Sequence, residues 1–212
     1  MMADLIPFLP GFFAAFSILM VAASSPGPAV AMLLGISMSR GRAAALVTCL
    51  GIAFGSTTIN LATMLGVGLL LSEAAWAMQI LRILGAAYLA WLAYGAFRKA
   101  ANPPALTTGP VPARSVPRLL LAGYLLQVTN PKAIVFWLAI AALGATEGGG
   151  ALVYAAFFIG AWIISFTCHA AWALLLSAAP IRAAYARARR SVEATLGVLF
   201  AFFAFKLATS RS

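Results

Sequence analysis

Two short polar stretches interrupt apolar runs of this chain and contain its most chemically capable residues. Ser24-Ser25-Pro26-Gly27-Pro28 lies in the first apolar run, and Thr129-Asn130-Pro131-Lys132 lies in a later one. Proline removes a backbone donor and clashes with the preceding helical turn, so backbone carbonyl groups lose their partners. Lys132 adds a full charge where a charge costs several kcal/mol unless other groups solvate it. These stretches suit the binding of a small polar molecule, and we predict no catalytic residues.

We predict that both stretches bind substrate, with help from polar residues on nearby apolar runs. Freed carbonyls and helix ends can bind an ammonium and a carboxylate group, and Lys132 is the candidate partner of a substrate carboxylate. For each residue the alternative is structural: a proline kink, a helix cap or an interhelical hydrogen bond. The predicted substrate-binding residues are Ser24, Ser25, Pro26, Gly27, Pro28, Asn60, Gln127, Asn130, Pro131 and Lys132.

The elements that must position these residues are membrane helices. The chain has 212 residues, of which 64% are hydrophobic and 8% charged, whereas about a quarter of a soluble domain is charged. Six apolar runs can each cross about 30 Å of hydrocarbon. We therefore predict an all-α integral membrane protein, with one transmembrane domain over 1–212 and six spans near Pro7–Ser37, Ala43–Leu71, Ala75–Phe97, Leu119–Leu143, Ala151–Ser177 and Val192–Leu207.

The net charge is +10, and most of the charged residues lie between the apolar runs. This distribution favours a role in membrane topology over nucleic-acid binding. The linkers after the first, third and fifth runs contain most of the Arg and Lys residues, whereas those after the second and fourth contain Glu73 and Glu147. The positive-inside rule then predicts that the three basic linkers are cytoplasmic and that both termini are periplasmic. The proline-rich linker at about 99–117 separates two halves.

The two halves match weakly along the chain. Pro26 and Pro131 differ by 131 − 26 = 105 positions, and Gly51 and Gly160 differ by 160 − 51 = 109. A duplicated unit with three spans must lie inverted relative to its copy, which is common in secondary transporters. We predict two inverted three-helix repeats, at about 1–98 and 118–212, with the first and fourth helices broken at proline.

Five short motifs occur along the chain: Ser25-Pro26-Gly27-Pro28-Ala29, Gly51-Ile52-Ala53-Phe54-Gly55, Leu65-Gly66-Val67-Gly68, Leu84-Gly85-Ala86-Ala87-Tyr88-Leu89 and Asn130-Pro131-Lys132-Ala133. Together they resemble the LysE/RhtB family of amino-acid exporters, which act in lysine, homoserine and threonine efflux. The resemblance implies a secondary transporter of the bacterial inner membrane that exports an amino acid or derivative by alternating access, driven by the proton motive force. It also implies six spans in two inverted repeats, with the two proline breaks facing each other at the substrate site.

The chain departs from the family pattern in its acidic residues. Some branches carry an aspartate early in the second span, where this chain has Ser56. The four acidic residues are all predicted at span ends or in loops, so a neutral or weakly polar substrate is favoured over a dibasic one. His169, the single histidine, is the candidate for proton coupling, and a packing role is its alternative.

Two other functions compete with amino-acid export. A membrane thiol–disulfide electron carrier would use Cys49 and Cys168, but these cysteines are not at the proline breaks. A metal-ion exporter would need clustered carboxylates, histidines or thiolates. We predict no cofactor, no metal site and no nucleic-acid partner. The predicted partners are the amino-acid substrate and the lipid bilayer, and the small-residue faces are compatible with a homodimer.

Overall fold

The computed structural model describes residues 3–73, 75–103 and 115–209, and every regular element within these ranges is a helix. A short 3₁₀ helix over Ala3–Phe8 leads into the first α-helix. The α-helices of the described ranges are α1 (Leu9–Ser24), α2 (Pro28–Glu73), α3 (Ala75–Ala101), α4 (Val116–Val128), α5 (Pro131–Ala141), α6 (Ala151–Leu175) and α7 (Ala179–Thr209).

Several of these helices are long and apolar enough to cross a membrane. Within the described residues, the segments Asp4–Ser24, Pro28–Gly66 and Ala151–Leu175 meet this criterion separately. Helices α4 and α5 meet it as a pair that is bent by 61°. The chain is therefore a multi-pass membrane protein, and the arrangement of six spans in two inverted repeats stays a prediction.

The helical path is interrupted at both proline stretches. Helix α1 ends at Ser24, and Ser25 is extended with φ −78° and ψ 133°. Helix α4 ends at Val128, and Asn130 is extended with φ −79° and ψ 108°. Each extended residue precedes a proline, which disfavours the helical conformation at that position. The first and fourth apolar runs are thus broken where the sequence predicts.

Helix α2 contains a sharp kink at Gly41, which divides it into the parts 28–40 and 42–73. Gly41 has φ 77° and ψ −179°, a backbone conformation that residues other than glycine rarely adopt. A Cβ at this position would meet nothing within 4 Å, so the backbone conformation alone calls for glycine. The first and second predicted spans are consequently joined by a turn rather than by a loop.

Helix α7 begins at Ala179, well before the predicted start at Val192, and this is a correction. Pro180 is tolerated in the first turn, where its missing donor has no partner anyway. Many of the following residues are alanine and arginine, which are strong helix formers. Arg182 donates from Nη1 to the carbonyls of Leu176, at 3.0 Å, and Ser177, at 2.9 Å. The basic residues after the fifth span therefore lie on a helix and not in an extended linker.

The most extensive packing is in three helix pairs, α2 with α4, α2 with α6, and α3 with α7. Small residues let the backbones of α2 and α4 approach closely. A Cβ added to Gly51 would collide with the carbonyl of Leu120, and one added to Gly123 would collide with that of Thr48. These packed helices contact α1 and α5, at whose ends the two breaks meet. Residues 104–114 of the predicted linker lie outside the described residues.

Candidate functional site

The Lys132 side chain joins the two helix breaks. Its ammonium donates hydrogen bonds to the carbonyl of Ala22, at 3.1 Å, and to the carbonyl of Ser25, at 2.9 Å. A third bond, of 2.6 Å, goes to the Ser25 hydroxyl. An ammonium group has three protons and no acceptor, so these three bonds satisfy it completely. The hydroxyl in turn donates to the Ala22 carbonyl at 2.8 Å.

Local sequence explains how Lys132 reaches this position. Asn130 is the N-cap of α5, and its Oδ1 accepts a hydrogen bond of 3.1 Å from the Lys132 backbone amide. Asparagine is a preferred N-cap, and Pro131 suits the first helical position that follows. Gly27 leaves the space that the ammonium needs, because its missing side chain would point at Nζ.

Next to this contact lies a small space, here called the inner pocket. Its volume is about 30 Å³, and a single water needs roughly 10–15 Å³ by this measure. It therefore has room for about two waters and not for an amino acid. Its polar lining consists of Ser25, Ser56, Gln127, Asn130, Lys132, Ser165 and His169.

Several residues that line the inner pocket form hydrogen bonds between helices or within one helix. Trp137 donates from Nε1 to the Ser56 hydroxyl at 3.0 Å, which ties α5 to α2. His169 is 4% exposed, and its Nδ1 lies 2.7 Å from the Ser165 carbonyl. Since a carbonyl oxygen only accepts, Nδ1 is the protonated nitrogen. The Ser165 hydroxyl is buried without a hydrogen-bond partner in the described part of the chain.

A larger cavity, here called the vestibule, lies on the other side of Lys132. Its volume of about 310 Å³ is within the range of small-molecule sites. Asn130 and Lys132 line both spaces and so separate the vestibule from the inner pocket. The lining of the vestibule also includes Pro26, Gly27, Pro28 and Pro131 from the breaks, and Tyr88, Trp91, Lys99, Glu193, Leu196 and Phe200 from α3 and α7.

Two predicted site residues lie away from these spaces. Ser24 is exposed, and its carbonyl accepts a hydrogen bond of 3.1 Å from Trp172. Asn60 is 1% exposed and lies one helical turn beyond Ser56. Neither of its amide atoms has a hydrogen-bond partner among the described residues. The structure thus gathers eight of the ten predicted residues around Lys132 and leaves these two outside.

Glu193 is the residue that the sequence prediction placed wrongly. It was expected at a span end, but it is 2% exposed and lines the vestibule. The early start of α7 explains the difference, since Glu193 lies inside that helix rather than at its first turn. Lys99, Arg189 and Lys132 all lie close enough to interact with it electrostatically. The interior therefore contains a carboxylate after all.

The residues of the two competing functions are scattered. Among the described residues, no three of the His, Cys, Asp and Glu side chains form a group that could hold a metal ion. Cys49 is buried on α2, and Cys168 is partly buried on α6. Both cysteines are remote in sequence from the breaks that meet at Lys132.

Comparison with known proteins identifies a family of membrane transporters that this chain resembles over most of its length. The family model described as LysE type translocator matches residues 20–211. A threonine efflux protein of Salmonella typhi is 28% identical over 204 residues, covering 94% of this chain and 98% of that protein. A threonine efflux protein of Escherichia coli K12 is 28% identical over 194 residues, covering 90% and 94%. An uncharacterized membrane protein of Pseudomonas aeruginosa is 31% identical over 193 residues, covering 87% and 88%. No solved structure matches significantly.

Proposed function

The chain belongs to the LysE type translocator family, and on that premise we propose that it exports a small amino acid, or a close derivative, from the cytoplasm. It is a transporter and not an enzyme. Relatives that align over nearly their whole length are named threonine efflux proteins. Their names favour a zwitterionic substrate with a neutral or weakly polar side chain, such as threonine.

The observation that carries this proposal is the contact of the Lys132 ammonium with the first break. The carbonyls of Ala22 and Ser25 bind one ammonium group in this structure, so they are suited to bind the α-ammonium of an amino acid. A displaced Lys132 would then be free to pair with the substrate carboxylate. Because a zwitterion has no net charge, the exchange leaves the total charge of the site unchanged. This favours neutral amino acids without requiring another buried charge.

The sizes of the two spaces support alternating access. The vestibule, at about 310 Å³, has room for an amino acid, whereas the inner pocket, at about 30 Å³, does not. Such a difference in size is expected of a carrier whose site admits substrate from the vestibule and is too narrow for it beyond Lys132. To complete transport, the inner pocket must widen, and the Trp137–Ser56 hydrogen bond is the contact that would have to break.

The packing of two matched glycines supports a domain of two inverted repeats at about 1–98 and 118–212. Gly51 in the first half approaches Leu120 on α4, and Gly160 in the second half approaches Phe16 on α1. Each glycine therefore contacts the first helix of the opposite half. Reciprocal contacts of this kind are expected when two copies of a unit are related by a pseudo-twofold axis.

We further propose that export is coupled to protons through His169, which lines the inner pocket. In His169→Gln, downhill release should continue and should no longer slow when the proton motive force is collapsed, whereas release against a gradient should be lost. A variant that responds like the native protein would contradict this role. The proposed location is the bacterial inner membrane, with the basic linkers cytoplasmic, both termini periplasmic, and a homodimer compatible with the small-residue faces.

The proposal is tested by measuring efflux from bacteria loaded with amino acids through dipeptide feeding. Cells with the native chain, Lys132→Ala or an empty vector are compared over neutral, basic and acidic amino acids. Lys206→Ala serves as the matched control, since Lys206 is exposed near the end of α7. We expect faster release of neutral amino acids from cells with the native chain or Lys206→Ala than from cells with Lys132→Ala or the empty vector. Equal release by all four strains, with protein confirmed in the membrane, would contradict the proposed function.

A further inference from the structure

We propose that the vestibule contains a separate loading site for zwitterionic amino acids, in which Glu193 binds the α-ammonium group and Lys99 binds the α-carboxylate. This inference rests on the proposed function and adds a first binding step to it. The substrate would be held here before it reaches the carbonyls now occupied by Lys132.

The first argument is the environment of Glu193. An ionised carboxylate is costly to bury unless hydrogen-bond donors or cations compensate it. Glu193 is 2% exposed and yet faces a cavity with room for a small ligand. Three cations, Lys99, Arg189 and Lys132, act on it through space. A carboxylate held in this way can exchange one of these cations for a substrate ammonium at little electrostatic cost.

The second argument is that Lys99 lines the same cavity. Lys99 lies in the last turn of α3 and lines the vestibule together with Glu193 on α7. Arg190 holds these helices together by donating from Nε to the Ala100 carbonyl at 3.1 Å. Apart from Lys132 on α5, the vestibule therefore presents one negative and one positive group, on two helices that pack against each other. This is the charge pattern that a zwitterion would complement.

The third argument is the order of these groups along the predicted path. Lys99 lies in the basic last turn of α3 and Arg189 in the basic first half of α7, and the positive-inside rule assigns both basic segments to the cytoplasm. Lys132 lies deeper, where the vestibule meets the inner pocket. An exporter must capture its substrate from the cytoplasmic side, and the Glu193–Lys99 pair is encountered before Lys132 on that route.

The test uses inside-out membrane vesicles, whose outer face is the cytoplasmic one, and uptake of labelled threonine. Glu193→Gln and Lys99→Gln are compared with the native chain and with two matched controls, Glu147→Gln and Arg98→Gln, whose side chains are exposed. We expect each vestibule variant to raise the half-saturating threonine concentration about tenfold at an unchanged maximal rate, as for loss of one charged hydrogen bond. The controls should behave like the native chain.

Competition by blocked substrates assigns each group separately. N-acetylthreonine lacks the ammonium and threonine methyl ester lacks the carboxylate, so both should compete more weakly than threonine with the native chain. Glu193→Gln should abolish the penalty for acetylation only, and Lys99→Gln the penalty for esterification only. Penalties that stay unchanged in both variants would overturn the loading site. So would a lowered maximal rate at an unchanged half-saturating concentration, which is expected of a residue with a purely structural role.

Failure of the loading site is distinguishable from failure of the proposed function. If native vesicles take up no amino acid above empty vesicles, export itself is wrong and the loading site falls with it. A different result would contradict the loading site alone. In that case native vesicles take up threonine, Lys132→Ala is inactive, and Glu193→Gln has the same half-saturating concentration as the native chain. If Glu193→Gln does not accumulate in the membrane, Glu193→Asp and Lys99→Gln decide by the same two measurements.

Discussion

A Cβ atom built on Gly27 would lie 3.1 Å from Nζ of Lys132, and these two residues occupy matching positions in the two halves. Their separation of 132 − 27 = 105 equals that of the matched prolines, 131 − 26 = 105. The charged group of the second half thus lies over the glycine of the first half. Any side chain at Gly27 has to compete with the ammonium for the same space.

Enlarging Gly27 should therefore reduce transport in proportion to the size of the new side chain. Gly27→Ala needs only a small displacement of the flexible lysine end and should slow efflux modestly. Gly27→Val should displace the ammonium from the Ser25 carbonyl and reduce efflux to near the empty-vector rate. Efflux of loaded amino acid measures both. Gly66→Val is the control, because a Cβ at Gly66 would meet nothing within 4 Å, and equal rates in all variants would contradict the expectation.

Removing the Ser25 hydroxyl should weaken the anchor of Lys132. The bond of 2.6 Å is one of three to the ammonium, and a hydrogen bond to a charged group contributes about 1.5–3 kcal/mol. We expect Ser25→Ala to lower the efflux rate by about tenfold or more. Ser17→Ala removes an exposed hydroxyl from α1, the helix that Ser25 follows. That hydroxyl donates to the carbonyl of Phe13 one turn earlier, and its removal should leave the rate unchanged.

The contact of α2 with α4 should be sensitive to any added atom. Gly51 and Gly123 face backbone carbonyls of the opposite helix, which cannot move aside as a side chain can. Gly51→Ala or Gly123→Ala should destabilise the protein by about 1–3 kcal/mol, and its Tm in detergent should fall by at least about 2 °C. Gly66→Ala should be neutral or stabilising, because alanine is the better helix former. A Tm unchanged by all three would mean that the helices are not packed this closely.

The cysteines should be dispensable for transport. A chain with both Cys49→Ala and Cys168→Ala should export at the native rate once the amount in the membrane is matched, because neither thiol lies at the breaks. Since Cys49 is fully buried, some loss of protein level is expected from the small cavity left behind. Loss of activity per molecule would instead support the thiol–disulfide carrier.

The predicted orientation can be tested with single cysteines in that cysteine-free chain. Arg42 and Glu147 are both exposed, beside the Gly41 kink and in the turn between α5 and α6. A membrane-impermeant maleimide added to intact cells should label Glu147→Cys and not Arg42→Cys. Permeabilised cells should show labelling at both sites. The reverse pattern in intact cells would invert the topology and place the vestibule on the outer side.

Backbone chemistry made the two breaks predictable, because proline acts on its own neighbours wherever it occurs. The order of Asn130 before Pro131 likewise predicts a capped helix start without knowledge of the fold. By contrast, the burial of Glu193 depends on where α7 begins and on what α3 places beside it. A nearly uniformly apolar sequence does not show which face of a helix is covered. The sequence therefore does not reveal that Ser56 lines the inner pocket and that Asn60 does not. Only the packing distinguishes their surroundings.

The Lys132 contact also bears on how the chain is assembled during synthesis. The acceptors at Ser25 enter the membrane 107 residues ahead of the ammonium they bind. Until the early break is in place, the later segment carries a cation into the bilayer without groups to solvate it. Insertion of the fourth apolar run is therefore tied to completion of the first. A second half synthesised by itself should be retained poorly in the membrane, and separate co-expression of the first half should rescue it.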